Sequence, residues 1–125
     1  MPASIKPNPR LLRLAVIWLP LFIWMGVIFF FSSVPGENIP SLFPLQDVLF
    51  HAIIYAVLGY LFARMLKNTS SGIPSLKIFV FTALFTCGYG LSDEFHQLFV
   101  PGRVFSLLDL LTDVAGGIAG SLFYR

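Results

Sequence analysis

Four apolar runs, each close to the length that crosses a bilayer and separated by proline- or glycine-containing polar stretches, constrain this chain more than any other feature. They extend over Leu11–Phe31, Val48–Met65, Leu76–Leu91 and Leu107–Tyr124. A helix rising about 1.5 Å per residue covers the roughly 30 Å of a hydrocarbon core in about 20 residues. Only 11% of the residues are charged and 57% are hydrophobic, against about 25% charged in soluble domains. Disorder is excluded, and a water-soluble globule fits this composition poorly. The expected fold is an all-α membrane protein with four transmembrane helices in an up-down bundle. Residues 1–10, rich in proline, form a short tail, and residues 11–125 form one domain.

The basic residues orient this bundle. Lys6, Arg10, Arg13, Arg64, Lys67, Lys77 and Arg125 fall at one end of the four runs, and Arg103 alone falls at the other. The excess of Lys and Arg marks the cytoplasmic side, so both termini are expected in the cytoplasm. The first run is longer than the apolar stretch of a signal peptide and has no clear small-residue cleavage site, which makes it a retained span. The net charge of +2 gives no basis for a nucleic-acid partner. Cys87 is the single cysteine, set in an apolar run, so no disulfide framework exists. Asn68-Thr69-Ser70 has the form of a glycosylation sequon but lies on the cytoplasmic side of this topology.

The acidic and histidine residues gather at the opposite end. Asp47 and His51 open the second run, Asp93, Glu94, His96 and Gln97 follow the third, and Asp109 and Asp113 open the fourth. Asp47, His51, Tyr55 and Gly59 recur every fourth residue and so form one stripe of a helix. Asp47 suits the positive end of a helix dipole and reads by itself as a cap. Asp113 lies on the order of 10 Å below the outer end of its helix, where an aspartate costs roughly 2.5–3.5 kcal/mol on insertion scales. Its face must turn into the bundle, and Gly116, Gly117 and Gly120 on that face suit close helix packing. Asp93 and Gln97, four apart, are the pair expected inside, whereas Glu94 and His96 read as solvated. Arg103 can recognise phosphate or carboxylate through its forked guanidinium, or clamp Asp93, Asp109 or Asp113 internally. Asp93, Glu94 and His96 could hold a divalent metal, yet their spacing matches no metal motif and no cofactor follows from it. Ser106 can be a nucleophile or, more commonly, a helix cap.

Read together, Asp47-x-x-x-His51-x-x-x-Tyr55-x-x-Leu58-Gly59, Tyr89-Gly90-x-x-Asp93-Glu94-x-x-Gln97-x-x-x-Pro101-Gly102-Arg103 and Ser106-x-x-Asp109-Leu110 resemble the VanZ-like family. The resemblance covers about two-thirds of the chain and leaves the first helix unconstrained. It implies a small multi-pass protein of the bacterial cytoplasmic membrane. It further implies that Asp47, His51, Tyr55, Asp93, Glu94, Gln97, Arg103, Ser106, Asp109 and Asp113 act as one polar set. Two positions depart from the family pattern: Val48 stands where lysine is frequent, and Asp113 where asparagine is common.

The family namesake confers resistance to teicoplanin, so the resemblance implies an envelope role such as low-level glycopeptide resistance, with an outward-facing polar pocket. Its partners would be membrane lipids and a lipid-linked envelope precursor or a glycopeptide, and an oligomer is compatible with this. The alternative is a membrane enzyme acting on a lipid or lipid-linked phosphate at the outer leaflet. There Arg103 would hold the anion, His51 would serve as general acid or base, and Asp47 or Asp93 would orient it. A third reading is a small proton-coupled transporter using Asp109, Asp113 and His51.

Overall fold

Every apolar run folds as a helix, and three of the helices reach further than hydropathy alone marks out. In the computed structural model, which describes residues 2–124, α1 spans Pro9–Ser32, α2 Gln46–Thr69, α3 Ser75–Gln97 and α4 Leu107–Leu122. A 3-10 turn at Gly36–Asn38 interrupts the first connection, and no strand occurs among the described residues. The helices α1, α2 and α3 are long and apolar enough to cross a membrane. With 16 residues, α4 measures about 24 Å and ends at Leu122, short of the expected Tyr124. Arg125, one of the basic residues used for orientation, lies outside the described residues.

Local chemistry sets most of the boundaries. Asn8 caps α1 by accepting from the Arg10 amide at 2.9 Å, with Pro9 at the first helical position, where its missing N–H is harmless. The tail before the helix is therefore two residues shorter than residues 1–10. Ser106 caps α4, its Oγ accepting from the Asp109 amide at 3.2 Å. Asp47 does not cap α2. That position belongs to Leu45, in a left-handed conformation (φ 60°), while Asp47 sits exposed in the first turn. Gln46 holds the preceding loop instead, accepting from the Leu42 amide and donating to the Pro40 carbonyl.

Successive helices alternate in direction. At one end, Ser33 after α1 meets His96 of α3, and Gly36 donates to the Pro101 carbonyl at 2.9 Å. At the other, Asn68 of α2 donates to the Tyr124 hydroxyl beyond α4 at 2.8 Å. Ile17, Leu21 and Ile28 of α1 pack on Ile54, Tyr55, Leu58 and Met65 of α2 as the apolar core. Trp24 joins this packing by donating its indole N–H to the Ile54 carbonyl, and Tyr89 donates to the Met25 carbonyl. Both sit where a polar tip on an apolar side chain needs a partner.

The tightest contact is between α2 and α4, and glycine makes it. A Cβ on Gly59 would overlap the Gly117 carbonyl, and one on Gly120 would overlap the Ala56 carbonyl. Gly116 lies less closely against Ala52, still without room for a Cβ, and Gly117 abuts the Thr86 side chain of α3. Four glycines thus let α4 press its backbone against α2 while α3 closes the third side. Where lipid removes any hydrophobic drive between helices, such close packing is what holds a bundle together.

Gly59→Ala and Gly120→Ala are expected to destabilise the folded chain by about 1–3 kcal/mol each through overpacking. Gly88→Ala, where a Cβ meets nothing within 4 Å, is expected to be neutral or slightly stabilising. Thermal midpoints of the detergent-solubilised proteins check this. Equal midpoints for all three variants would mean that the α2–α4 contact is looser than described.

Candidate functional site

The α2–α4 contact carries two polar side chains with it. His51, eight residues before Gly59, faces Asp113, and its Nδ1 donates to Asp113 Oδ1 at 2.6 Å. Both residues are buried. On its other side, His51 Nε2 lies 3.8 Å from Asp109 Oδ2. One turn along α2, Tyr55 is fully buried, stacks on the His51 ring and directs its hydroxyl toward Asp93 Oδ2 at 3.4 Å. The stripe read from the four-residue spacing in α2 therefore meets both other helices.

From α3 come Asp93, Glu94 and Gln97, all buried. Asp93 and Gln97 were the pair expected inside. The solvated reading of Glu94 is overturned: it is 0% exposed, and its Oε2 accepts from the Ser106 amide at 2.9 Å. The reason is that α3 continues to Gln97 rather than ending near Leu91. Position 94 thereby faces the start of α4, where free amide groups favour a carboxylate. His96 is half-buried, not solvated. Its Nε2 donates to Ser33 Oγ at 2.9 Å and its ring stacks on Phe29, pinning α3 to α1.

Arg103 clamps none of the three aspartates. Its Nε donates to the Val34 carbonyl and its Nη2 to the Phe31 carbonyl, both at 3.0 Å. It thus satisfies backbone acceptors that α1 leaves open at its C-terminal end. The turn that delivers it needs glycine: Gly102 has φ +74°, and a Cβ on Gly36 would overlap the Gly102 backbone. Ser106 is occupied as the cap of α4 while its amide holds Glu94.

Two depressions open on this end of the bundle. The first, of about 290 Å³, has walls from Ile28, Phe31, Phe50 and Ile54 and a polar margin of Asp47, His51, Asp93, Gln97 and Arg103. The second, of about 580 Å³, shares Asp47, Gln97 and Arg103 and runs on to Ser106 and Asp109. The ten residues named from the sequence thus sort into two layers. Asp47, Gln97, Arg103, Ser106 and Asp109 lie along the openings, Tyr55, Glu94 and Asp113 lie beneath, and His51 and Asp93 belong to both. Sequence reasoning missed Ser32 and Gln46, which line the first depression. Ser32 is buried without a partner for its hydroxyl, and nothing in an apolar run ending in two serines singles it out. Gln46 carried a signal, as a polar residue directly before Asp47.

His51 and Asp113 are expected to be strongly coupled. Asp113→Ala leaves a buried imidazole without its partner, and breaking such a pair costs about 3–5 kcal/mol. The double variant with His51→Leu and Asp113→Leu is expected to lose less stability than the sum of the single losses. Asp47→Asn, at an exposed position, is expected to stay within about 0.5 kcal/mol of the parent. Unfolding in detergent measures all three, and additive single losses would show the pair to be uncoupled.

No curated protein and no solved structure matches the chain. The family model described as VanZ/LLP1 matches residues 17–125, which includes all of α2, α3 and α4, most of α1, and every residue of both layers. The chain, with three helices suited to crossing a membrane, belongs to the VanZ/LLP1 family.

Proposed function

We propose that this chain is a four-span membrane protein whose outward-facing pocket receives the polar head of an envelope amphiphile, and that it contributes to low-level teicoplanin resistance in this way. The observation that carries the reading is the first depression itself. Its walls are aliphatic and aromatic, its margin bears one guanidinium with carboxylate and amide groups beside it, and its volume is about 290 Å³. Small-molecule sites start at about 300 Å³, so a headgroup with the first part of a chain fits. A whole glycopeptide does not. Resistance would then follow from altering or masking an envelope lipid rather than from enclosing the antibiotic.

In this proposal α4, shorter than its neighbours, completes the bundle as the fourth span, with both termini cytoplasmic. The placement of Lys6, Arg10, Arg13, Arg64, Lys67 and Lys77 at the end opposite the pocket supports it. In a Cys87→Ser background, Asn38→Cys is expected to react with an impermeant thiol reagent in intact cells. Ser71→Cys is expected to react only after the membrane is opened. The reverse pattern would invert the topology and place the pocket at the cytoplasmic leaflet.

Catalysis on a lipid or a lipid-linked phosphate is the second reading, favoured by one feature. His51 lies in the wall of the pocket while Asp113, behind it, fixes the orientation of the ring through a 2.6 Å hydrogen bond. That is the arrangement of an oriented general base. A proton-coupled transporter finds less support, because the buried ionisable groups occupy one half of the bundle, while Ile17, Leu21, Leu58 and Met65 pack elsewhere.

The test is teicoplanin susceptibility of a sensitive Gram-positive host expressing the parent chain, Arg103→Gln or His51→Gln at matched membrane levels. Protection by the parent, lost in both variants, is expected. Absence of protection from the parent would sink the resistance role. Protection undiminished in both variants would detach that role from the pocket.

A further inference from the structure

Beneath the pocket the balance of charge is uneven. His51, Asp93, Glu94 and Asp113 are all buried, and each offers one ligand atom such that the four atoms lie within 4.8 Å of one another. Asp109 adds a fourth carboxylate at 3.8 Å from the imidazole. The only cation these residues contain is His51 when protonated, which can balance one carboxylate. Arg103, the one guanidinium at this end, is turned to the carbonyls of Phe31 and Val34.

Two buried oxygens separate a cation from protons as the missing charge. Oε1 of Glu94 and Oδ2 of Asp113 have no hydrogen-bond partner, although both residues are 0% exposed. An orphaned carboxylate oxygen at such depth forfeits several kcal/mol of hydration. A protonated carboxyl still needs an acceptor for its O–H, whereas a metal ion satisfies several lone pairs together. Their partner oxygens are already engaged, Glu94 Oε2 by the Ser106 amide and Asp113 Oδ1 by His51. Each carboxylate is thus held from one side with an oxygen left over.

We propose that His51, Asp93, Glu94 and Asp113 form a binding site for one divalent first-row metal ion. One imidazole nitrogen with three carboxylate oxygens suits Zn²⁺ or Mn²⁺. Metal–ligand distances of about 2.0–2.2 Å require a small inward movement from the present spread. The proton now shared between His51 and Asp113 leaves if Nδ1 becomes the ligand, since metal ligands must be deprotonated. The ion would lie between the three helices that the glycine contacts draw together. It would be reached through the pocket wall, because His51 and Asp93 line the opening. This site does not depend on the identity of the pocket's ligand.

The experiment uses the full chain, purified in detergent, stripped with chelator, then titrated calorimetrically with Zn²⁺ or with Mn²⁺ and assayed for retained metal after desalting. One ion per chain is expected, together with a rise in thermal midpoint. Glu94→Gln and Asp113→Asn are expected to weaken binding at least tenfold, as loss of a charged ligand requires, and Asp47→Asn to leave it unchanged. Failure of the parent chain to bind either ion, or to gain in midpoint, would overturn the proposal without any variant having to fold. Binding that persists in both Glu94→Gln and Asp113→Asn would also overturn it, by placing the metal elsewhere.

Discussion

The backbone contact between α2 and α4 is the constraint on which the rest of this structure depends. Gly59 against Gly117 and Gly120 against Ala56 bring two helix axes closer than any pair of side chains allows. Only at that separation can an imidazole on α2 reach a carboxylate on α4 at 2.6 Å without either group bending away. The third helix is fixed by the same contact. Gly117 abuts Thr86, and Gly90 leaves room for Asp113, whose Oδ2 would lie 2.8 Å from a Cβ there. A glycine stripe in lipid is commonly a packing device alone. Here it packs and, at one end, brings His51 and Asp113 together.

α1 plays a different part. It adds no titratable side chain to the buried layer, and its contacts with the other helices combine apolar packing with hydrogen bonds to its backbone and its C-terminal end. Trp24 donates out to Ile54, Tyr89 donates in to Met25, and Arg103 holds the carbonyls of Phe31 and Val34. Ile28, Phe31 and Ser32 wall the first depression. α1 and the loop after it therefore shape the opening, while α2, α3 and α4 supply its charged floor.

Much of this was legible in the residues, and the exceptions have definite causes. The fourfold spacing of Asp47, His51, Tyr55 and Gly59 identified a helical face because a helix repeats almost every four residues. The cost of Asp113 in lipid turned its helix inward before any partner was known. Glu94 was misplaced because adjacent residues at a helix end point in different directions, and the true end of α3 decides which is inside. Its partner there is Ser106, twelve residues away, whose amide donates to the Glu94 carboxylate. One of the two readings of Arg103 made it an internal clamp on carboxylates, because charge is visible in a sequence. Its actual acceptors are carbonyls about seventy residues distant, and main-chain acceptors leave no mark in composition. The cap of α2 was misread for a related reason. Asp47 has the right chemistry, but Leu45 takes the left-handed position that the proline-rich loop imposes.

The separation into two layers bears on what the polar set can do. Toward the other end the interior holds Leu58, Ala63 and Met65 with the hydroxyl groups of Thr82, Thr86 and Ser121, and no buried ionisable side chain occurs there among the described residues. The buried ionisable groups are thus confined to one half of the bundle. Within that half, the outer layer lines the two openings and is mixed in charge, and the inner layer is buried and rich in carboxyl groups. Carboxylates gathered in a dry interior repel one another and lose hydration together, so packing alone gives no reason to keep them there. His51 and Asp93 belong to both layers, and any influence of the buried charge on a bound headgroup passes through these two side chains.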